Sequence, residues 1–196
     1  EIMFHPTEPN AEYIELTNLG PETVDLNLVT LAGAVDFTFG STELAPGDYV
    51  LVVEDIGAFE TRYGQGFSIA GQYTGRLNNA GDLIELRDPA GQIIHSFEYS
   101  DEWYEITDGL GFSLTVSDPA MTDPNVLGEM SAWRPSVHHG ASPGFDDSAE
   151  AVLPGSVVIN EVMASPLAGE SDWIELYNAT DQAIDLGGWF LSDSGK

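Results

Sequence analysis

Slid along itself, this chain meets its own opening again near its end. Glu1-Ile2-Met3 lies over Glu161-Val162-Met163, and Pro6 over Pro166, without a gap. Tyr13-Ile14-Glu15-Leu16 lies over Trp173-Ile174-Glu175-Leu176, and Asn18 over Asn178. Asp25-Leu26 lies over Asp185-Leu186, and Leu31 over Leu191. Such a repeat limits the architecture before any single element does: one unit is about 160 residues long, and a second copy has only begun by Lys196. About 40 residues cannot bury a core alone, whereas about 150 bury roughly 70% of the surface an unfolded chain exposes. We therefore expect a first domain over residues 1–146, a linker over 147–155, and the N-terminal part of a second domain over 156–196. Val157-Val158-Ile159-Asn160 reads as a strand leading into Glu161, and nothing corresponding precedes Glu1. The first residue, Glu1, is not a Met, so a piece of a longer polypeptide is the favoured reading. Strand donation between molecules, giving head-to-tail self-association, is the other.

Helical periodicity is almost absent, and short alternating runs bounded by Gly, Pro, Asn and Asp dominate. Strands are expected over 12–17, 23–28 and 35–39, then over the apolar run Tyr49 to Val53, and later over 112–116. Two more, over 83–87 and 93–99, flank the turn Asp88-Pro89-Ala90-Gly91 as a hairpin. One helix is expected, with Asp55 as N-cap, Phe59 and Tyr63 four apart on one face, and Gly64 just past its end. Many short strands with regular turns predict an all-β sandwich or barrel with one short helix.

Charge narrows the function classes. There are 33 acidic against 5 basic residues, a net charge of −28. Such a polyanion has no cationic face to displace counterions from nucleic acid, and anionic lipid repels it. The acidity reads first as solubility in a salty or extracellular medium, and second as a source of Ca²⁺ ligands. The sequence has no Cys, so disulfides and thiolate metal sites are excluded. No apolar run is long enough for a membrane-spanning helix.

The run Asp172-Trp173-Ile174-Glu175-Leu176-Tyr177-Asn178, followed by Ile184-Asp185-Leu186-Gly187-Gly188-Trp189-Phe190-Leu191-Ser192-Asp193, resembles the opening of a lamin-tail domain. The first copy carries the same run at 12–18 and 24–31. It continues through Leu44-Ala45-Pro46-Gly47, Gly75 to Asp82, Trp103-Tyr104, Thr107 to Leu114, Trp133-Arg134-Pro135-Ser136 and Gly140-Ala141-Ser142-Pro143-Gly144. The resemblance implies an immunoglobulin-like β-sandwich, of the bacterial branch found in large secreted proteins. Members of that branch often sit beside a spore-coat-protein-H-like kinase, a nuclease or a phosphatase. It makes Glu15, Asn18, Trp133, Arg134, Glu175 and Asn178 motif residues, and it says little about function.

Candidates for chemistry are few. Glu15 and Glu175 read either as ligand carboxylates or as acceptors of backbone N–H or Arg hydrogen bonds, with Arg134 or Arg76 as partners. Asp118, Asp123 and Asn125 are clustered oxygen ligands that could wrap Ca²⁺. Trp103 and Tyr104 could form an aromatic platform for sugars, or a core rim. Gly111-Phe112-Ser113-Leu114 lacks the second Gly and the following helix of a nucleophile elbow. His5, His95, His138 and His139 form no helical ligand pair; His95 is expected to face solvent or bond across the sheet, and His138-His139 to lie in a solvated loop. No catalytic residue is expected. The sequence thus reads as a non-catalytic structural or adhesion module of a secreted or cell-surface protein, contacting neighbouring domains or other extracellular proteins. The alternative is an accessory glycan- or Ca²⁺-binding domain of a secreted enzyme whose catalytic part lies elsewhere. A catalytic domain is the third and weakest reading.

Overall fold

The computed structural model describes residues 1–119, 123–152, 155–165, 167, 169, 171–184, 186, 189 and 191–192. Pro154, Pro166, Asp185, Gly187, Gly188, Phe190 and Asp193, all used in the sequence reading, lie outside the described residues. The chain divides into two units, Glu1–Ala149 and Glu150–Lys196. The first runs past the expected boundary at 146, because Asp147 is only 2% exposed and belongs to that unit's interior. No helix is long and apolar enough to cross a membrane, among the described residues.

The first unit opens with β1 (Ile2–Met3), β2 (Tyr13–Thr17), β3 (Val24–Asp25), β4 (Thr30–Gly33), β5 (Val35–Thr38), β6 (Glu43–Leu44) and β7 (Tyr49–Val53). Helix α1 (Ile56–Tyr63) follows, then β8 (Ile69–Gln72), β9 (Thr74–Gly75), β10 (Gly81–Arg87), β11 (Ile93–Ser100), β12 (Leu114–Val116) and β13 (Trp133–Pro135). One sheet has the order β13-β12-β1-β2-β7-β8, and a second the order β11-β10-β4-β5-β9. β3 and β6 form a separate two-stranded ladder. The β2–β7 ladder is antiparallel from Tyr13↔Val53 to Thr17↔Tyr49. β8 is parallel to β7, the connection being α1. That crossover was not foreseen, and it is the arrangement that parallel neighbours require.

The two sheets face each other across a single apolar interior. Ile2, Ile14, Val50, Val52 and Leu114 on one side meet Leu31, Val35, Ile84 and Leu86 on the other. The period of two places Tyr13 on the opposite face of β2 from Ile14. That outer face is buried as well: Tyr13, Leu51 and Val53 pack under Phe59 of α1. Rings of Tyr13 and Phe59 meet edge to face at 5.5 Å between centroids. Asp55 accepts from the Ala58 amide at 2.8 Å, and Gly64 (φ 86°) ends the helix. The helix therefore lies where its cap and Phe59 predict. The segment expected to pair over 23–28 does so only at β3, because Asp25 turns to accept the Asn27 amide and Leu28 adopts φ 63°.

The second unit contains β14 (Val157–Met163) and β15 (Trp173–Asn178), an antiparallel pair. Its register repeats that of β1 and β2: Val162↔Ile174 and Met163↔Trp173 correspond to Ile2↔Ile14 and Met3↔Tyr13. Ile159, Val162, Ile174 and Tyr177 are exposed.

Candidate functional site

Between the two sheets of the first unit lies a cleft of about 640 Å³. Its walls are mostly aliphatic and aromatic, with Leu16, Leu26, Leu86, Phe97, Val116 and Trp133 among them. Glu15, Asn18, Trp133 and Arg134, four of the residues singled out from sequence, all line it. Each is engaged. The Trp133 indole donates to the Leu127 carbonyl at 2.7 Å. Asn18 donates to the carbonyls of Glu22 and Leu44 and accepts from the Gly20 amide. In the second unit Asn178 does the same to Gln182 and Thr180. This recurring Asn is therefore a turn-closing residue after the strand.

Glu15 is 6% exposed and accepts the Gly144 amide at 2.6 Å. The backbone partner is the one expected, whereas the Arg partners are not. Arg134 pairs with Asp147, and Arg76 with Glu12 at 3.1 Å. The reason is position: segment 140–144 lies over the face of β2 that carries Glu15, with Ala141 in the outer apolar cluster. Burial pushes the Glu15 carboxyl up to about 8, and the Glu1 carboxylate adds to the rise; the Glu1 ammonium and the Gly144 N–H pull against it. Beside it, the Glu1 carboxylate accepts from the hydroxyls of Tyr13, Ser113 and Ser142. Asp147 accepts from Arg134, from the Val137 amide at 2.7 Å and from the Ser142 hydroxyl at 3.0 Å. Burial raises the Asp147 carboxyl, but these bonds outweigh it and hold the group below its ordinary value. Glu175, the counterpart of Glu15, accepts from the Asn160 side-chain amide instead.

Sequence reasoning missed Glu12. It is 2% exposed and accepts from the Tyr73 hydroxyl, the Leu77 amide and Arg76. These bonds pin the 73–77 segment to the start of β2. Its signal was available in the repeat, where Glu12 lies over Asp172. Asp147 and Ser142 were missed too, since nothing local distinguishes a carboxylate that reaches back across its own domain.

The remaining candidates are placed as follows. Trp103 stacks on Trp133 at 6.4 Å between centroids, and the Tyr104 hydroxyl donates to the Trp133 carbonyl at 2.8 Å, so both rings are half-buried at the core rim. Asp123 accepts from both nitrogens of Asn125, and Asp118 is exposed. No group of three or more His, Cys, Asp or Glu side chains is placed to hold a metal ion, among the described residues. Ser113 is fully buried and donates to Glu1. His95 departs from its expectation: its Nδ1 is buried with no hydrogen-bond partner among the described residues, and burial lowers its pKa. His138 and His139 are exposed in their loop.

The sequence profile of the Lamin Tail Domain family matches residues 1–101 and again 151–196, the two ends of the repeat. No curated protein matches the chain. The family is an immunoglobulin-like, generally non-catalytic domain. The matched segments hold the strand pair that recurs in both units, and the sandwich around the first has the expected architecture. This chain belongs to the lamin tail domain family.

Proposed function

We propose that the chain is a structural and protein-interaction module of a secreted or cell-surface protein, holding neighbouring domains in place and contacting other extracellular proteins. One observation carries this reading: the groups able to do chemistry are consumed in building the fold. Glu1, Glu12, Glu15 and Asp147 each accept hydrogen bonds that fasten a segment to the first sheet, and Ser113 and Ser142 are fully buried. The cleft that Glu1, Glu15 and Asp147 border is mostly apolar and, among the described residues, offers no exposed nucleophile beside a base. The net charge of −28 supports a solvated extracellular setting.

The test assays the purified full chain against ester, phosphate and glycoside reporters and titrates it calorimetrically with Ca²⁺ and a glycan panel. We expect no turnover and no binding heat. Saturable heat with Ca²⁺ or a glycan would move the assignment to an accessory binding domain. Hydrolysis lost on Ser113→Ala would overturn the non-catalytic reading altogether.

A further inference from the structure

Two open sheets leave an edge at each end, and the edges of this sandwich are not alike. At one side β8 is four residues long and runs through Tyr73 straight into β9, which is two residues long and ends the other sheet. At the opposite side the first sheet ends in β13, three residues long and finished by Pro135. Short strands and proline are devices that keep an edge from pairing. The second sheet ends there in β11, which has neither: it is eight residues long and contains no Pro, Lys or Arg. Its register against β10 runs unbroken from Leu86↔His95 to Gly81↔Ser100.

Alternation fixes which backbone groups of β11 point outward. The Leu83 carbonyl accepts the Ala34 amide at 2.8 Å, so Leu83 faces β4, while Asp82, Ile84 and Leu86 face β11. Their partners Tyr99, Phe97 and His95 direct N–H and C=O to β10. Ser96 and Glu98 therefore direct theirs away from the sheet, where no backbone group meets them among the described residues. Both residues are exposed, and Ile94 beside them is 46% exposed. The two faces of this edge differ in chemistry. On the inner face Phe97 packs against Trp133 at 5.4 Å between centroids. The outer face carries Glu98, followed along the chain by Asp101 and Glu102. Arg87, across the ladder, is already held by Glu85 at 2.6 Å.

We infer that β11 receives, as an added strand, an extended segment of another protein in which basic and apolar residues alternate. Main-chain bonds to Ser96 and Glu98 supply the affinity, and the alternation supplies the selectivity. With a period of two, one set of the segment's side chains lies beside Phe97 and the other beside Glu98. The first set is apolar and the second cationic, to match the ring and the carboxylate. Charge decides between occupants. A second copy of this chain brings a net charge of −28 to an edge that is already acidic, and like charge opposes that pairing, whereas a basic segment is drawn to it. The inference rests on the interaction reading and deepens it by naming the partner's chemistry and the strand that meets it.

The test titrates the full chain with end-capped Lys-Val-Lys-Val-Lys-Val at about 0.15 M salt, by fluorescence anisotropy, and follows amide exchange in the complex. The same peptide N-methylated at every peptide bond keeps its charge and loses its donors. Saturable binding is expected, with exchange at Ser96 and Glu98 slowed by about 10-fold or more. The methylated peptide is expected to bind at least about 10-fold more weakly. Ser96→Pro removes an outward donor and leaves the β10 ladder intact, and Glu98→Lys reverses the charge; each is expected to weaken binding on the order of 10-fold. Urea midpoints check that both variants fold, and Glu98→Lys with the methylated peptide decides the matter if Ser96→Pro does not. Equal binding of the two peptides overturns the inference, reducing it to charge attraction. So does protection at Ser96 and Glu98 in the free chain, whether constant, which means the chain covers its own edge, or rising with concentration, which gives the edge to a second copy. None of these readouts involves turnover, Ca²⁺ or glycans, so failure here is distinguishable from failure of the functional assignment.

Discussion

Glu12, Glu15 and Asp147 are all nearly inaccessible to water, yet their surroundings ask different things of them. Glu12 satisfies two donors that have nowhere else to go, the Tyr73 hydroxyl and the Leu77 amide. Glu12→Ala orphans both, and we expect a loss of about 3 kcal/mol in urea unfolding. Arg76 is 66% exposed on its side chain, so Arg76→Ala should move the urea midpoint far less than Glu12→Ala does. Glu15 has a raised pKa, so the folded state binds its proton more tightly than the unfolded chain. Its contribution is full below about pH 4.5 and is lost as the pH climbs toward about 8. Glu15→Gln should flatten the decline of the urea midpoint across that window. Asp147 is the opposite case: its contribution is present above its ordinary value of 3.8 and is lost as the pH falls through its lowered folded value. Asp147→Asn should therefore destabilise at pH 7 and show a shallower acid-side loss.

At the scale of elements, α1 makes the sharpest prediction. Phe59 is fully buried under Tyr13, Tyr63 and Phe67, so Phe59→Ala should lose about 3–5 kcal/mol, while Asp55→Ala, which removes one cap, should lose about 1. Thermal melts of the two variants give the ratio. The same helix shows why some elements were legible in the sequence: cap, apolar face and terminating Gly all lie within ten residues. The Asp88–Gly91 turn was equally legible, and it closes with Gly91 donating to the Asp88 carbonyl at 2.9 Å. What was not legible is the long-range pairing. Arg76 and Glu12, or Asp147 and Arg134, choose each other through the sheet order, and no local pattern encodes which carboxylate an Arg meets. The run at 23–28 failed for a related reason, since alternation alone does not reveal that Asp25 would rather close a turn than continue a ladder. The repeated Asn18 and Asn178 could be picked out from the repeat, but their role as turn closers could not.

Over the whole molecule, two facts govern behaviour. The charge of −28 opposes compaction by self-repulsion, so the unfolding midpoint should rise as NaCl is increased from low to about 0.5 M, where screening falls within a few ångströms. The buried apolar residues of both clusters lie in Glu1–Ala149, so that segment carries its own core, whereas β14 and β15 leave theirs exposed. The central claim is that carboxylates serve as internal fasteners of a two-sheet sandwich rather than as chemical groups. Amide hydrogen exchange on the full chain at Leu77 and Gly144 tests it most directly, since both are loop amides whose bonds go to Glu12 and Glu15. The account predicts that both exchange as slowly as the β2 and β7 amides, and that Glu12→Ala releases Leu77 while leaving Gly144 protected. Exchange of Leu77 and Gly144 at the rate of an open loop would contradict it.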